Sequence, residues 1–422
     1  MNLKDKIIEK FKKNKEFSRN FVWRSLQTVG KQGSSFALFL IATAMISKEG
    51  MGVYNYIFSA LYLLTIFADF GISTATSKYV TEYNVKDKDK LKKVFFNTSF
   101  IILIISVIVT ILSLIFGKSW FGEYYKYLVY AMPIVFLSPI TSLFDGIFRG
   151  LKRFKELAII SLSVGIVSLI SSYFLIRYLD LTGALIAQVV MYLIYAIVLS
   201  VRHKGWSVSF DKRIILDIGR YSLVFGIATM GYYLFSRVNI LIMGRYGYLE
   251  EIATYELLNK AFTIYLLPFT ILGQVLAPYI TELFTLGRRA SVRKVYFQIL
   301  KILLFILILF VPIAYFGTKL GIALFFPEYS TNILLVLLLP ITLTYAKNLV
   351  TAPINSGIIV ATGHAGIMTW INIIAGVINV ILNLLVIKIY GFIGIIWVTF
   401  VVQFIFTLLL NYIYMRKIKK YE

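Results

Sequence analysis

Twelve stretches of roughly 20 or more mostly apolar residues follow one another along the chain. They lie near 22–46, 53–77, 95–116, 127–148, 157–177, 181–201, 218–243, 252–277, 296–316, 332–356, 366–387 and 391–414. A bilayer core about 30 Å thick is crossed by a helix of roughly 20 apolar residues, so each stretch is long enough to span it. Runs such as Phe100 to Phe116 and Ile302 to Val311 are apolar on every side. That pattern excludes the alternating ten-residue strands of a membrane β-barrel. With 59% hydrophobic residues, 15% charged residues and a mean hydropathy of +0.81, the solvent is lipid. The expectation is an all-α integral membrane protein with twelve transmembrane helices. No small-residue cleavage site follows a short apolar core at the N-terminus, so the first span is expected to remain as a signal anchor.

The formal charge of +23 would suggest nucleic acid in a soluble protein, but in a membrane protein the position of each cation matters more than the sum. If the N-terminus is inside, the cytosolic segments carry 29 Lys and Arg and the external loops seven, namely Lys48, Lys118, Lys126, Arg177, Arg245, Lys319 and Lys388. This bias predicts a multi-pass protein of the cell (plasma) membrane with both termini in the cytosol. The positive charge is then orientation signal and contact with anionic membrane lipids, and nucleic acid is not an expected partner. Leu3 to Phe17, with Leu3, Ile7, Ile8 and Phe11 on one side, reads as a basic amphipathic helix on the inner surface or as an unstructured tail.

The chain also repeats itself. Arg19 matches Arg220 and Tyr54 matches Tyr255 at an offset of 201, and Lys78-Tyr79-Val80-Thr81-Glu82 matches Pro278-Tyr279-Ile280-Thr281-Glu282 at 200. Lys93-Val94-Phe95 matches Lys294-Val295-Tyr296, and Gly165, Arg177 and Gly183 match Gly376, Lys388 and Gly394 at 211. Six spans per repeat is an even number, so both halves enter the membrane the same way round. The predicted organisation is a basic cytosolic segment 1–21, a six-helix lobe 22–208, a second six-helix lobe 209–415 and a cytosolic tail 416–422. The two pseudo-symmetric bundles are expected to surround a central cavity.

An ionisable residue inside a membrane is by default a functional-site hypothesis. Span 1 carries Arg24, Gln27, Thr28, Lys31 and Ser34 or Ser35 on one helical face, and span 2 carries Asn55, Ser59, Tyr62, Asp69 and Ser73. By depth, Asp69 is expected to pair with Arg24. In the second half Arg237 lies in span 7, and Glu256, Asn259, Lys260 and Thr263 line span 8, where Glu256 and Lys260 at i, i+4 are placed to neutralise one another. Thr344, Lys347, Asn348, Thr351 and Asn355 share a face of span 10. Asn372, Asn379 and Asn383 in span 11 read as helix-helix contacts. The cations Arg24, Lys31, Arg237, Lys260 and Lys347 outnumber Asp69, Asp145 and Glu256, and Asp145 is one turn from Arg149. A net cationic cavity lowers the cost of bringing a phosphate into the membrane and repels lipophilic cations.

Catalytic constellations are not expected. The chain has no cysteine and only His203 and His364, so neither a histidine or thiolate metal site, a thiol nucleophile nor a Ser-His triad can be assembled. Gly117-Lys118-Ser119 resembles the end of a phosphate loop, but Leu112 stands where its first glycine should be. Asp69-Phe70-Gly71 lacks the loops that accompany it in kinases. No cofactor is implied, and the protein is expected not to be an enzyme.

Gly52-Val53-Tyr54-Asn55-Tyr56, Ala68-Asp69-Phe70-Gly71-Ile72-Ser73 and Phe148-Arg149-Gly150-Leu151-Lys152-Arg153-Phe154-Lys155 carry a resemblance to the polysaccharide-biosynthesis flippases, or oligosaccharide exporters. These belong to the superfamily that also contains multidrug/toxin extruders and peptidoglycan-precursor flippases. The resemblance covers essentially the whole chain and matches the twelve-helix form. It implies export of a polyprenyl- or dolichyl-phosphate-linked oligosaccharide by alternating access, by a functional monomer. In that scheme Arg24, Lys31 and Lys347 meet the phosphate first, and Arg237 and Lys260 receive it outside. A cation-coupled exporter of the same fold, served by Asp69 and Glu256, and a membrane glycosyltransferase are the competing readings.

Overall fold

The computed structural model describes residues 15–203 and 207–419. The proposed surface segment up to residue 14, the end of the tail and part of the loop between the halves therefore lie outside the described residues. Every regular element among the described residues is helical. In order these are α1 (Lys15–Met45), α2 (Lys48–Asp69), α3 (Ile72–Lys86), α4 (Lys88–Phe121), α5 (Tyr125–Ala131), α6 (Ile134–Gly150) and α7 (Phe154–Arg202), then α8 (Lys212–Ser236), α9 (Val238–Arg245), α10 (Leu249–Thr285), α11 (Arg289–Phe325), α12 (Asn332–Ile354) and α13 (Ala365–Lys419). Eight helices among the described residues are long and apolar enough to cross a membrane. The two longest, α7 and α13, each contain one non-helical residue, Asp180 and Gly391, which divides them into two segments.

The chain forms two compact units. The first comprises residues 1–47 and 60–229, the second residues 48–59 and 230–422. Within the first, α1 lies along α7 and α3 along α6; within the second, α10 lies along α12, and α9 packs on α13.

The elements recur at the offsets at which the sequence repeats. α2 and α10 begin 201 residues apart, as do α4 and α11, while α7 and α13 begin 211 apart and their interruptions share that spacing. The contacts recur as well. A Cβ on Gly165 would stand 3.4 Å from the Gly30 carbonyl oxygen, and one on Gly376 would stand 3.0 Å from that of Gly231. Both units therefore bring backbones close at a pair of small residues, which dispersion contacts require when lipid removes the hydrophobic drive between helices. Buried core positions match too: Val80, Leu143 and Ile147 in the first unit correspond to Ile280, Ile354 and Ile358 in the second.

The repeated Tyr-Val/Ile-Thr-Glu motif has a structural use. Thr81 Oγ1 donates to the Gly150 carbonyl (3.3 Å) and Thr281 Oγ1 to that of Ala361 (3.2 Å). Each hydroxyl thus fixes a helix to the turn that leaves the neighbouring helix. In that turn Leu151, Lys152 and Arg153 donate to Ile147, Arg149 and Phe148, and Thr362, Gly363 and His364 donate to Ile358, Val360 and Ile359. The turn needs a left-handed residue. The second repeat supplies Gly363 (φ +80°), the first supplies Lys152 (φ +57°).

The same substitution occurs at the break in the long helices. Gly391 has φ 60° and ψ −151°, and Asp180 has φ 50° and ψ −131°, a region that a side chain penalises by about 1–3 kcal/mol. Asp180→Gly is therefore expected to raise stability by about 1 kcal/mol. Gly391→Ala should lower it by more, because the new Cβ also falls 2.8 Å from Tyr248 Oη. Thermal unfolding of the two variants in detergent checks the pair, and a destabilised Asp180→Gly would contradict the strain.

Candidate functional site

In the first unit, the polar face of α1 meets α6 around one carboxylate. Arg24 donates to Gln27 Oε1, and Gln27 donates in turn to Asp145 Oδ1. Arg24 Nη1 stands 3.8 Å from the same oxygen, while Arg149 Nε reaches Asp145 Oδ2 at 2.9 Å from one turn along α6. Asp145 is 13% exposed, against 40% for Arg24 and 32% for Arg149. Two guanidinium groups share one carboxylate, so the cluster keeps a positive charge on its more exposed side. Lys31 continues the stripe two turns further along α1. It is exposed, has no ion pair among the described residues, and its Nζ lies 5.8 Å from the centre of the Tyr195 ring. Tyr195 is bonded to Ser161, and together with Gly30, Ser34, Thr141 and Tyr192 they border a narrow cavity beside Lys31.

Asp69 does not pair with Arg24 as the sequence suggested. Phe70 (φ +36°) and Gly71 (φ +83°) end α2 in left-handed geometry, which leaves the first N–H groups of α3 without partners. Asp69 Oδ1 accepts from the Ser73 N–H (2.9 Å) and hydroxyl (2.6 Å). The carboxylate caps a helix, and Arg24 turns to Asp145. The second repeat has Ile271 and Leu272 at the matching place, and there α10 runs on unbroken.

In the second unit, Arg237 sits at the break between α8 and α9, with φ −132° and ψ −18°. Its Nη1 donates to both oxygens of Glu256, at 3.1 and 3.0 Å, and Asn259 Nδ2 donates to Oε1 at 3.0 Å. Tyr345 Oη donates to the Asn259 carbonyl at 3.0 Å and carries the network to α12. The carboxylate that helical spacing assigned to Lys260 is also bonded by Arg237, because the break in the helix turns the guanidinium onto α10. Lys260 lies one turn further along, half-buried.

Lys347, half-buried on α12, donates to Gln403 Oε1 at 3.0 Å and has no ion pair among the described residues. Gln403 Nε2 donates to the Phe235 carbonyl at 3.2 Å, and the Phe235 ring lies 5.9 Å from the ammonium. Asn379, Asn383 and Thr399 bond one another and the Leu234 carbonyl, the helix-helix role expected of them. Gln403, Tyr195 and Tyr345 were not anticipated. Gln403 was the findable one, as an amide in the middle of the apolar run 391–414.

The backbone repeats, but these charges do not. Phe225, Tyr232 and Ser356 occupy the second-repeat positions matching Arg24, Lys31 and Asp145, and Phe36, Asn55, Ser59 and Phe136 the first-repeat positions matching Arg237, Glu256, Lys260 and Lys347. A charge needed only to hold the fold would be expected in both copies. Among the described residues, no three His, Cys, Asp or Glu side chains form a group able to hold a metal ion.

A family model described as "Polysaccharide biosynthesis protein" matches residues 17–284. Two uncharacterized membrane proteins of Methanocaldococcus jannaschii are similar along most of the chain. MJ1068 is 25% identical over 83% of this chain and 74% of its own, and MJ1375 is 23% identical over 89% and 92%. Among solved structures, a multidrug resistance MATE-family transporter of the MOP superfamily in an inward-facing conformation aligns over 94% of this chain and 95% of its own, with a TM-score of 0.77 and 15% identity. The lipid II flippase MurJ in an inward closed conformation aligns over 92% and 87%, with a TM-score of 0.69 and 17% identity. The fold is that of these transporters.

Glu256 is buried and accepts three hydrogen bonds, so its removal strands Arg237 and Asn259. Glu256→Ala is expected to lower stability by about 1–3 kcal/mol, whereas Glu256→Gln, which keeps an acceptor, costs less. Denaturation in detergent orders the two variants, and equal stability of Glu256→Ala and wild type would remove the network from the account.

Proposed function

The chain belongs to the polysaccharide biosynthesis protein family, and from that premise we propose that it is a flippase for an anionic lipid-linked oligosaccharide. The substrate is a polyprenyl- or dolichyl-phosphate-linked glycan, carried from the inner to the outer leaflet of the plasma membrane by alternating access. The observation that carries this reading is the excess of cations within each unit. Arg24 and Arg149 share Asp145, Arg237 and Lys260 accompany Glu256, and Lys31 and Lys347 have no ion pair among the described residues. A cation left without a carboxylate in a low-dielectric setting attracts a phosphate strongly, and it opposes a cationic drug.

The proposed topology has twelve crossings with both termini in the cytosol. Four are needed beyond the eight helices of sufficient length and apolarity. The interruptions at Asp180 and Gly391 supply two, by dividing α7 and α13. The polar α1 and the 17-residue α6, with α5 before it, supply the others. Arg24, Lys31 and Lys347 meet the phosphate at loading and Arg237 and Lys260 receive it at release, while the lipid tail stays in the bilayer. The protein acts as a monomer and carries out no covalent chemistry.

Flipping of a fluorescent polyprenyl-diphosphate sugar in proteoliposomes tests the reading. Wild type is expected to move the probe, and Lys31→Ala and Lys347→Ala to lose at least about tenfold in rate, the loss of one charge-assisted contact. If wild type ignores the lipid and instead exchanges a hydrophobic cation for protons or sodium, the exporter reading replaces this one.

A further inference from the structure

The first unit contains a second basic feature, away from the Lys31 cavity. A cleft of about 500 Å³ is lined by Thr74, Ser77, Lys78, Thr81 and Glu82 of α3, Arg149 of α6 and Tyr221 of α8. That volume lies within the roughly 300–1,000 Å³ usual for small-molecule sites. Lys78 is exposed, forms no ion pair among the described residues, and stacks its ammonium 3.9 Å from the centre of the Tyr221 ring and 4.8 Å from that of Tyr79. Glu82, the carboxylate in the lining, is bonded to Lys86 at 3.0 Å. Arg149 shares its carboxylate with Arg24, as described above. The cleft is therefore positive, lined by hydroxyls, and open.

The internal repeat separates what the fold needs here from what it does not. Thr81 and Glu82 recur as Thr281 and Glu282, and both threonines make the same bond to the neighbouring turn. Ser77, Lys78 and Arg149 instead face Ala277, Pro278 and Val360 at the matching positions. At these three positions the second copy builds the same helix pair and turn without a cation. The basic lining of the first copy is thus not a requirement of the scaffold, and it calls for a ligand.

We propose that this cleft is a phosphate-binding subsite, with Lys78 and Arg149 as its charges and Ser77 and Thr74 as its hydroxyl contacts, taking the phosphate or diphosphate of a lipid head group. The inference rests on the flippase reading and adds to it a docking position distinct from the Lys31 and Lys347 contacts. A phosphate held by one ammonium, one guanidinium and two hydroxyls uses the charge-assisted bonds that such groups form best. The position of Lys78 on two aromatic faces limits its rotamers, so less entropy is lost when the anion arrives.

The test is equilibrium binding to the full chain in phosphatidylcholine nanodiscs, with farnesyl diphosphate as the lipid probe and inorganic pyrophosphate as the soluble one. Farnesyl diphosphate is expected to bind saturably. Lys78→Gln should weaken it at least about tenfold, one charge-assisted contact, while Lys78→Arg keeps it within about threefold. Because Lys78 is exposed, the Gln variant is expected to fold, and its unfolding temperature is checked alongside. Unchanged affinity in Lys78→Gln, or no saturable binding by wild type, overturns the subsite. Pyrophosphate binding as tightly as farnesyl diphosphate reassigns the cleft to a soluble phosphate compound and overturns the lipid assignment. The flipping assay separates the two ideas: a wild type that flips the lipid-linked sugar while Lys78→Gln binds normally sinks the subsite alone, and a wild type that flips nothing sinks the flippase reading.

Discussion

In the hydrocarbon of a bilayer an unbonded peptide group costs several kcal/mol, so a chain that crosses it must satisfy its backbone within helices and confine interruptions to places where protein groups make good the loss. The breaks in this chain obey that rule. At Phe70–Gly71 the loose N–H of α3 is taken by Asp69. At the turn after α6 the freed carbonyls of Ile147, Phe148 and Arg149 are bonded by the next three N–H groups, and the hydroxyl of Thr81 reaches Gly150. Several of the polar residues that look functional in an apolar sequence are therefore committed to the backbone.

A repeated scaffold separates the remaining polar groups into two kinds. Glycine crossings, threonine-to-turn bonds and the apolar core recur in both copies, as they must if each unit is to pack by itself. Arg24, Lys31, Asp145, Arg237, Glu256 and Lys347 occur once each. The two copies share an architecture and carry different charges.

The helical, membrane-embedded class and the repeat were legible because both are properties of pattern. Twenty-residue apolar runs have few other structures open to them, and an offset of 201 that widens to 211 survives in residue identities wherever glycine or threonine has a fixed packing duty. The ionisable residues within the apolar runs stand out in the sequence against their surroundings.

Which charge meets which was decided only by the tertiary structure. Depth along two ideal helices pointed Asp69 at Arg24, and i, i+4 spacing pointed Glu256 at Lys260. Both inferences assumed unbroken helices, and neither could foresee what a break does: Gly71 turns Asp69 into a cap, and the loss of helical geometry at Arg237 brings its guanidinium onto Glu256 as a further partner. Sequence periodicity fixes which face of a helix a residue occupies. Backbone interruptions and the approach of neighbouring helices, set by contacts 100 or more residues apart such as Gln27 with Asp145, fix its partner.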